Sequence, residues 1–208
     1  MGRYTGPVCR LCRRVGEKLT LKGDRCFTPS CAVEKRRTPP GDPSRRRRRL
    51  SDWGTQLREK QKGRYIYGLM ESQFSKYMEE ARKRPGVTGI YLLQLLERRF
   101  DNVIFRLGFS DSRQQARQLV THGHFAINGR PNNIPSYRVQ PNDVVTWKES
   151  RKNRDFYKQC TEGLPKRPVP EWLNLDIDTM SGKVLQLPDE QAVEATIDSQ
   201  LIVEYYSR

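Results

Sequence analysis

The 208-residue sequence contains no apolar run close to the roughly 20 residues that a membrane-crossing helix needs, and its N-terminus lacks the apolar stretch of a secretory signal. Membrane and export roles are therefore disfavoured, and the expected location is the cytoplasm. Histidine is nearly missing, with His122 and His124 the only two. No Gly-rich phosphate loop is visible, nor a nucleophile set beside a base, so catalysis has no visible machinery. Internal repeats are lacking too. At 35% apolar residues the chain fills a modest core, which suits two compact modules with irregular arms.

Acidic residues are outnumbered. Lys and Arg total 39 against 24 Asp and Glu, a net charge of +15, and the surplus is local. Residues 1–64 carry 19 basic and 6 acidic side chains, and residues 98–154 carry 11 against 4, whereas residues 171–208 reverse the sign with 2 against 8. Two regions are thus suited to a polyanion, nucleic acid first, and the tail is not.

Five cysteines in a reducing compartment argue against a disulfide framework and for metal ligation. Cys9, Cys12, Cys26 and Cys31 form the pattern C-x2-C-x13-C-x4-C. Four thiolates close a tetrahedral shell around one structural Zn2+, and such a site would order residues 1–43, which show no sustained period of 3.6 or 2. A four-iron four-sulfur cluster accepts the same ligands and stays the alternative. Zinc held by four protein sulfurs has no open position for catalysis. Cys160, alone, reads as a small buried apolar residue.

Ser51 is placed to cap a helix through LREKQK that Gly63 is expected to break. A second helix, capped by Ser72, has Phe74, Tyr77, Met78 and Ala81 in one stripe and stops at Pro85-Gly86. A third is expected to run from Thr88 to Gly108 with Leu92, Leu95, Leu96, Phe100, Val103, Ile104 and Leu107 on its apolar face. The run Arg45, Arg46, Arg47, Arg48 and Arg49 precedes Arg58, Lys60, Lys62 and Arg64, and these cations are expected along phosphates. Tyr65, Tyr67 and Tyr137 suit either base stacking or core packing.

Ser112 with Gln115 matches a capping box for a helix over Arg113 to about His122 that Gly123 ends. Ala116, Leu119 and Val120 occupy its apolar side, and Arg113, Gln114, Arg117, Gln118 and Thr121 the opposite arc. After it, Phe125 and Ile127 alternate into Asn128-Gly129, a hairpin signal, and VVTW forms another short strand. The two imidazoles of HGH stand at a helix-to-strand junction, where they are expected to diverge, with no third ligand nearby; a phosphate or base contact, or simple capping, is what remains. Residues 150–160 read as helical. Leu173, Leu175 and Ile177, then Leu185 and Leu187, then Leu201, Val203 and Tyr205 alternate as strands would.

SRQQARQLVTHGHFAINGR followed by PSYRVQPNDVV resembles the RNA-binding module named after the fourth protein of the bacterial small ribosomal subunit. YTGPVCRLCRR, KGDRC, LSDWGTQLREKQK, IYGLMESQF, RRFDNVIFRLGF, PEWLNLD and LIVEYYSR resemble, in order, landmarks of the full-length family, its cysteine-bearing zinc-binding type. The resemblance implies an α+β fold. A metal-bound arm over 1–43 would lead to a mainly helical domain over 44–97, completed by C-terminal strands within 161–208. Inserted between them, over 98–160, would be a small α/β RNA-binding module with a helix pair on a short antiparallel sheet. It also implies that Cys9, Cys12, Cys26 and Cys31 hold the metal, and that Arg113, Gln114, Arg117, Gln118, His122, His124, Asn128, Arg130, Tyr137 and Arg138 line the RNA face.

The partners so implied are a multi-helix junction of 16S ribosomal RNA, bound early in small-subunit assembly, and neighbouring subunit proteins, the fifth especially. Messenger RNA near the channel through which it enters is another, with a contribution to translational accuracy. Binding to the protein's own messenger is allowed. Neither a membrane nor a small-molecule substrate is expected. An RNA-modifying enzyme with the same module would need a separate catalytic domain, for which too few residues remain. A DNA-reading zinc protein would normally show a dimerising element.

Overall fold

A computed structural model describes the chain apart from residues 1, 37, 42–49, 163, 165, 166, 190–195 and 208. The run Arg45 to Arg49 lies outside the described residues. The chain divides into two compact units, Met1–Leu92 with Glu194–Arg208, and Leu93–Val193.

The first unit is helical: α1 (Cys9–Val15), a 3-10 turn (Gly23–Phe27), α2 (Ala32–Lys35), α3 (Asp52–Ile66), α4 (Glu71–Arg82), the start of α5 (Thr88–Glu97) and α10 (Ser199–Tyr206). Ser51 caps α3 as its sequence predicts, its Oγ accepting from the Gly54 N–H at 3.2 Å. Gly63 does not break that helix. A Cβ there would lie 3.5 Å from Ile202 Cδ1 and 3.6 Å from Phe74 Cζ, ordinary contact distances, so the helix runs through Gly63 packed against both side chains. The turn falls instead at Gly68, whose φ of +64° is the left-handed conformation glycine accepts without penalty. In α4, Phe74, Tyr77, Met78 and Ala81 are buried as the stripe requires, though the helix begins at Glu71, without a side-chain cap.

The closing LIVEYY segment is a helix, not the strand its alternation suggests. Over so few residues the periods of 2 and 3.6 both fit, and the cap decides: Asp198 Oδ1 accepts from the N–H groups of Gln200 (3.0 Å) and Leu201 (3.2 Å). Once helical, the segment buries Ile202.

The second unit carries the rest of α5, then α6 (Phe100–Arg106), α7 (Arg113–Thr121), β1 (Phe125–Ile127), β2 (Arg130–Pro131), β3 (Val144–Trp147), α8 (Glu149–Lys152), α9 (Asp155–Thr161), β4 (Leu173–Asp176) and β5 (Ser181–Val184). Its strands form one antiparallel sheet in the order β2-β1-β3-β5-β4. Asn128 and Gly129, with φ of +50° and +76°, make the β1–β2 turn. Residues 161–208 are expected to complete the helical domain with strands; strands β4 and β5 instead extend the sheet of the second unit, and it is α10 that joins the helical one. Leu185, read as strand, follows β5 and is exposed.

The expected continuous helix from Thr88 to Gly108 is two. Between α5 and α6 the backbone turns out to bond a neighbouring loop: the Phe100 N–H donates to the Tyr137 carbonyl (2.8 Å), the Asp101 N–H to Pro135 (3.1 Å), and the Val139 N–H to Arg98 (3.0 Å). Apolar periodicity continues through the break because both helices bury their apolar faces, Leu92, Leu95 and Leu96 on α5 and Phe100, Val103 and Ile104 on α6. The core of the second unit begins with α6. That core gathers Phe100, Ile104, Phe109, Val120, Phe125, Val145, Trp147 and Trp172, with Cys160 inside it.

Candidate nucleic-acid interface

Helix α7 is fixed at both ends. Ser112 Oγ accepts from the Gln115 N–H (3.3 Å), and Gln115 Oε1 reaches back to accept from the Asp111 N–H (2.7 Å), one residue before the usual reciprocal partner. Gly123, at φ +69°, ends it. Ala116, Leu119 and Val120 are buried, as the amphipathic reading requires.

The opposite arc is not all exposed. Arg117 is only 9% exposed, with Nη1 3.8 Å from Asp101 Oδ2. Arg113 is half-buried, its Nε donating to Asn102 Oδ1 (2.8 Å) and its guanidinium 4.4 Å from the Phe105 ring centre. The long aliphatic stems let both arginines fold back onto carboxylate and amide acceptors that lie in another helix, which no one-helix arc can reveal. What α7 presents to solvent is Gln114, Gln118, Thr121 and His122.

Those acceptors belong to a buried polar network. Asp101 takes a bidentate pair of bonds from Arg99 (3.0 and 2.6 Å), and Glu97, fully buried, takes the same from Arg106 (3.0 and 2.7 Å). Asn102 Nδ2 donates to Glu97 Oε2 (2.7 Å) while its Oδ1 faces Arg113. A further guanidinium, Arg167, stacks 4.0 Å from Phe105 and donates to the carbonyls of Ser110 and Asp111 at 3.2 Å each.

Beyond α7, Arg130 is exposed on β2 and Tyr137 is 36% exposed, its ring edge-on to Phe100. Arg138 is half-buried and bridges Arg99 through the backbone. Asn128 is exposed, but its amide is engaged: Nδ2 donates to Asp143 Oδ1 (2.8 Å) and Oδ1 accepts from the Val144 N–H (2.9 Å). The imidazoles of His122 and His124 do not diverge; their centroids lie 6.4 Å apart at 29°. Burial holds the His124 pKa below its ordinary value, and the charges of Arg151, His122 and Arg154 push the same way. Sequence reasoning missed Arg151 and Arg154. The signal was there in RKNR, a basic cluster just after the last strand of the hairpin region.

In the helical unit the expected phosphate contacts are mostly internal. Lys60 is 3% exposed, with Nζ 2.8 Å from Glu71 Oε2 and 4.8 Å from the Tyr205 ring centre. Lys62 is buried between Glu17 (2.8 Å) and Glu59 (3.2 Å). Arg64 is half-buried beside Glu71 (3.9 Å) and the Tyr65 ring. Burial of Lys60 lowers rather than raises its availability to a polyanion, so Lys60 and Lys62 are corrected to structural cations. Tyr67 is core as well.

Cys9, Cys12, Cys26 and Cys31 line one small cavity together with Lys18, Lys22 and Arg25. Burial raises the Cys12 pKa, and the neighbouring Cys26, Cys9 and Cys31 thiols add to the rise. The Lys22 N–H donates to Cys26 Sγ at 3.4 Å. Among the described residues no group of three His, Cys, Asp or Glu side chains is arranged to hold a metal ion. The expected metal-bound arm is thus an arm with four thiols around a shared space. Their soft-donor chemistry fits zinc or an iron-sulfur cluster.

Residues 3–97 match the family model described as ribosomal protein S4/S9 N-terminal domain, and residues 98–145 match the S4 domain, beginning where α5 gives way to α6. Fold and site together define a ribosomal protein built around an S4 domain. The chain is 53% identical over 209 residues to small ribosomal subunit protein uS4 of Thermus thermophilus, and 51% over 208 to that of Heliobacterium modesticaldum, each across the full length of both chains. It belongs to the uS4 family of small-subunit ribosomal proteins, a family that is not enzymatic. Among the described residues no helix is long and apolar enough to cross a membrane.

Proposed function

We propose that this protein is a structural constituent of the small ribosomal subunit that binds ribosomal RNA by shape and charge, with no covalent chemistry. The observation that carries this reading is the polar set that the second unit leaves accessible: Gln114 and Gln118 on α7, His122 at its C-terminal cap, Arg130 on β2 and Tyr137 are exposed and Arg138 is half-buried, while Arg113 and Arg117 turn inward onto Asn102 and Asp101. Amides and guanidinium groups supply base-edge and phosphate contacts, and a tyrosine supplies stacking. In this reading the ligand is a multi-helix junction of 16S ribosomal RNA, bound early in assembly. The fifth small-subunit protein and messenger RNA near its channel are neighbours, and decoding accuracy depends on the complex.

Gln118→Glu with Arg130→Glu is expected to weaken binding of the full chain to a 16S junction RNA by about tenfold or more and to flatten its salt dependence. Fluorescence anisotropy at several salt concentrations checks it. Unchanged affinity and slope would remove this surface from the interface.

The four cysteines are proposed to hold one structural Zn2+, with an iron-sulfur cluster the other occupant; the shared cavity and the C-x2-C pair support this. Bound metal would cross-link α1 to the Cys26 and Cys31 turns, and the thiols would bind as thiolates. Cys9→Ser with Cys12→Ser is expected to release about one equivalent of metal and to make residues 1–43 protease-sensitive. Elemental analysis with limited proteolysis reads both, and an unchanged digestion pattern would sink the metal's structural role.

A further inference from the structure

The His122-Gly123-His124 turn meets α8 in a concentration of positive charge that adds His124, Arg151 and Arg154 to the His122 of the surface described above. His122 caps α7, His124 leads into β1, Arg151 belongs to α8, and Arg154 sits in the link to α9. The place is built rather than accidental. The Lys148 N–H donates to the His124 carbonyl (2.9 Å), and the Trp147 ring stands edge-on to the His124 imidazole at 6.1 Å. Tyr157 of α9 packs on the same indole at 5.2 Å. One tryptophan therefore holds the imidazole, the strand and the following helices in register.

The charges acting on His124 are Arg151, His122 and Arg154, all cationic when protonated. The nearby carboxylate Glu149 is paired with Lys152 at 2.6 Å, and the next, Asp155, is exposed at the start of α9. Like charges gathered this way repel in the free protein and favour a neutral imidazole at physiological pH. An arriving anion reverses that preference.

We propose that a single RNA backbone phosphate seats against His122, His124, Arg151 and Arg154, and that its arrival brings a proton onto the His124 imidazole. The proposal rests on the RNA-binding reading and deepens it: this surface grips a phosphate, and the grip is linked to proton uptake. By linkage, affinity rises as pH falls through the imidazole's value in the complex and levels off below its value in the free protein.

The full chain and a fluorescent 16S junction RNA, titrated at fixed ionic strength from pH 8 to 5.5, provide the test. Binding is expected to tighten by about fivefold across this range, which corresponds to a peak uptake of about 0.4 proton per complex. Calorimetry in two buffers of different ionisation enthalpy measures that uptake. His124→Asn is expected to remove most of the pH dependence, and Arg151→Gln with Arg154→Gln to weaken binding at every pH while moving the transition to higher pH. His124→Gln, with near-ultraviolet circular dichroism as a folding control, guards against a collapsed variant. Full pH dependence in a folded His124 variant, or no proton uptake by the wild type, overturns the proposal. RNA that binds with the expected affinity but without linkage overturns only the proton-linked subsite, whereas failure to bind at any pH overturns the RNA reading as well.

Discussion

Replacing Asp101 by alanine lowers the stability of the second unit by about 3–5 kcal/mol, the range found when one partner of a buried ion pair is removed. Asp101 is almost fully enclosed, and its carboxylate does three jobs at once. It accepts both Arg99 bonds, it accepts the Asn102 N–H at 3.0 Å, and it faces Arg117. Arg99 is 1% exposed, so alanine leaves a desolvated guanidinium without its bidentate anion. Urea unfolding followed by tryptophan fluorescence measures the loss. Trp53→Phe as a background confines the signal to Trp147 and Trp172 of the second unit. A loss under about 1 kcal/mol would mean that the network is hydrated in solution like a surface pair. Arg99→Leu added to Asp101→Ala should recover part of the loss, because the stranded charge goes with it.

Trp147→Ala is expected to cost a similar amount, about 3–5 kcal/mol, for a different reason. The indole is 2% exposed and meets Phe125 at 4.5 Å, Tyr157 at 5.2 Å and Phe109 at 5.9 Å between ring centres, so alanine opens a cavity bounded by rings that a short β-sheet holds apart. Trp147→Phe should be far milder. It keeps most of the aromatic surface and removes an indole N–H that is buried without a hydrogen-bond acceptor among the described residues. Chemical unfolding followed by circular dichroism gives the comparison. Equal destabilisation by both variants would show that the nitrogen, not the volume, matters.

Local signals in the sequence are legible where one segment decides its own structure and only one period fits it. The Ser51 and Ser112 caps, the α4 stripe, the buried face of α7 and the Asn128-Gly129 hairpin all depend on neighbours within a few positions. The closing LIVEYY segment differs for a local reason, the Asp198 cap, whereas other differences concern contacts distant in sequence. The break between α5 and α6 depends on carbonyls at Pro135 and Tyr137, and burial of Lys60 on Glu71 and Tyr205. Arg117 turns inward toward Asp101 on α6. The same rule governs the site. Exposed amides were predictable from the α7 arc, while the inward arginines and the share of Arg151 and Arg154 around His124 were not. A charge count reports how many cations there are, and folding decides which of them meet a carboxylate first.

The sheet order carries a practical consequence for anyone wishing to isolate the RNA-binding half. The family match to the S4 domain stops at residue 145, inside β3, yet β3 pairs on one side with β1 and on the other with β5, and β4 follows β5. A fragment trimmed to the matched region would end within β3, and one extended to residue 160 would leave the backbone of Val144 to Thr146 bare along one flank. Bare flanks of that kind recruit strands from other copies and precipitate. A well-behaved excised domain needs the polypeptide through Val184, some forty residues beyond where homology searching would tell an experimenter to cut.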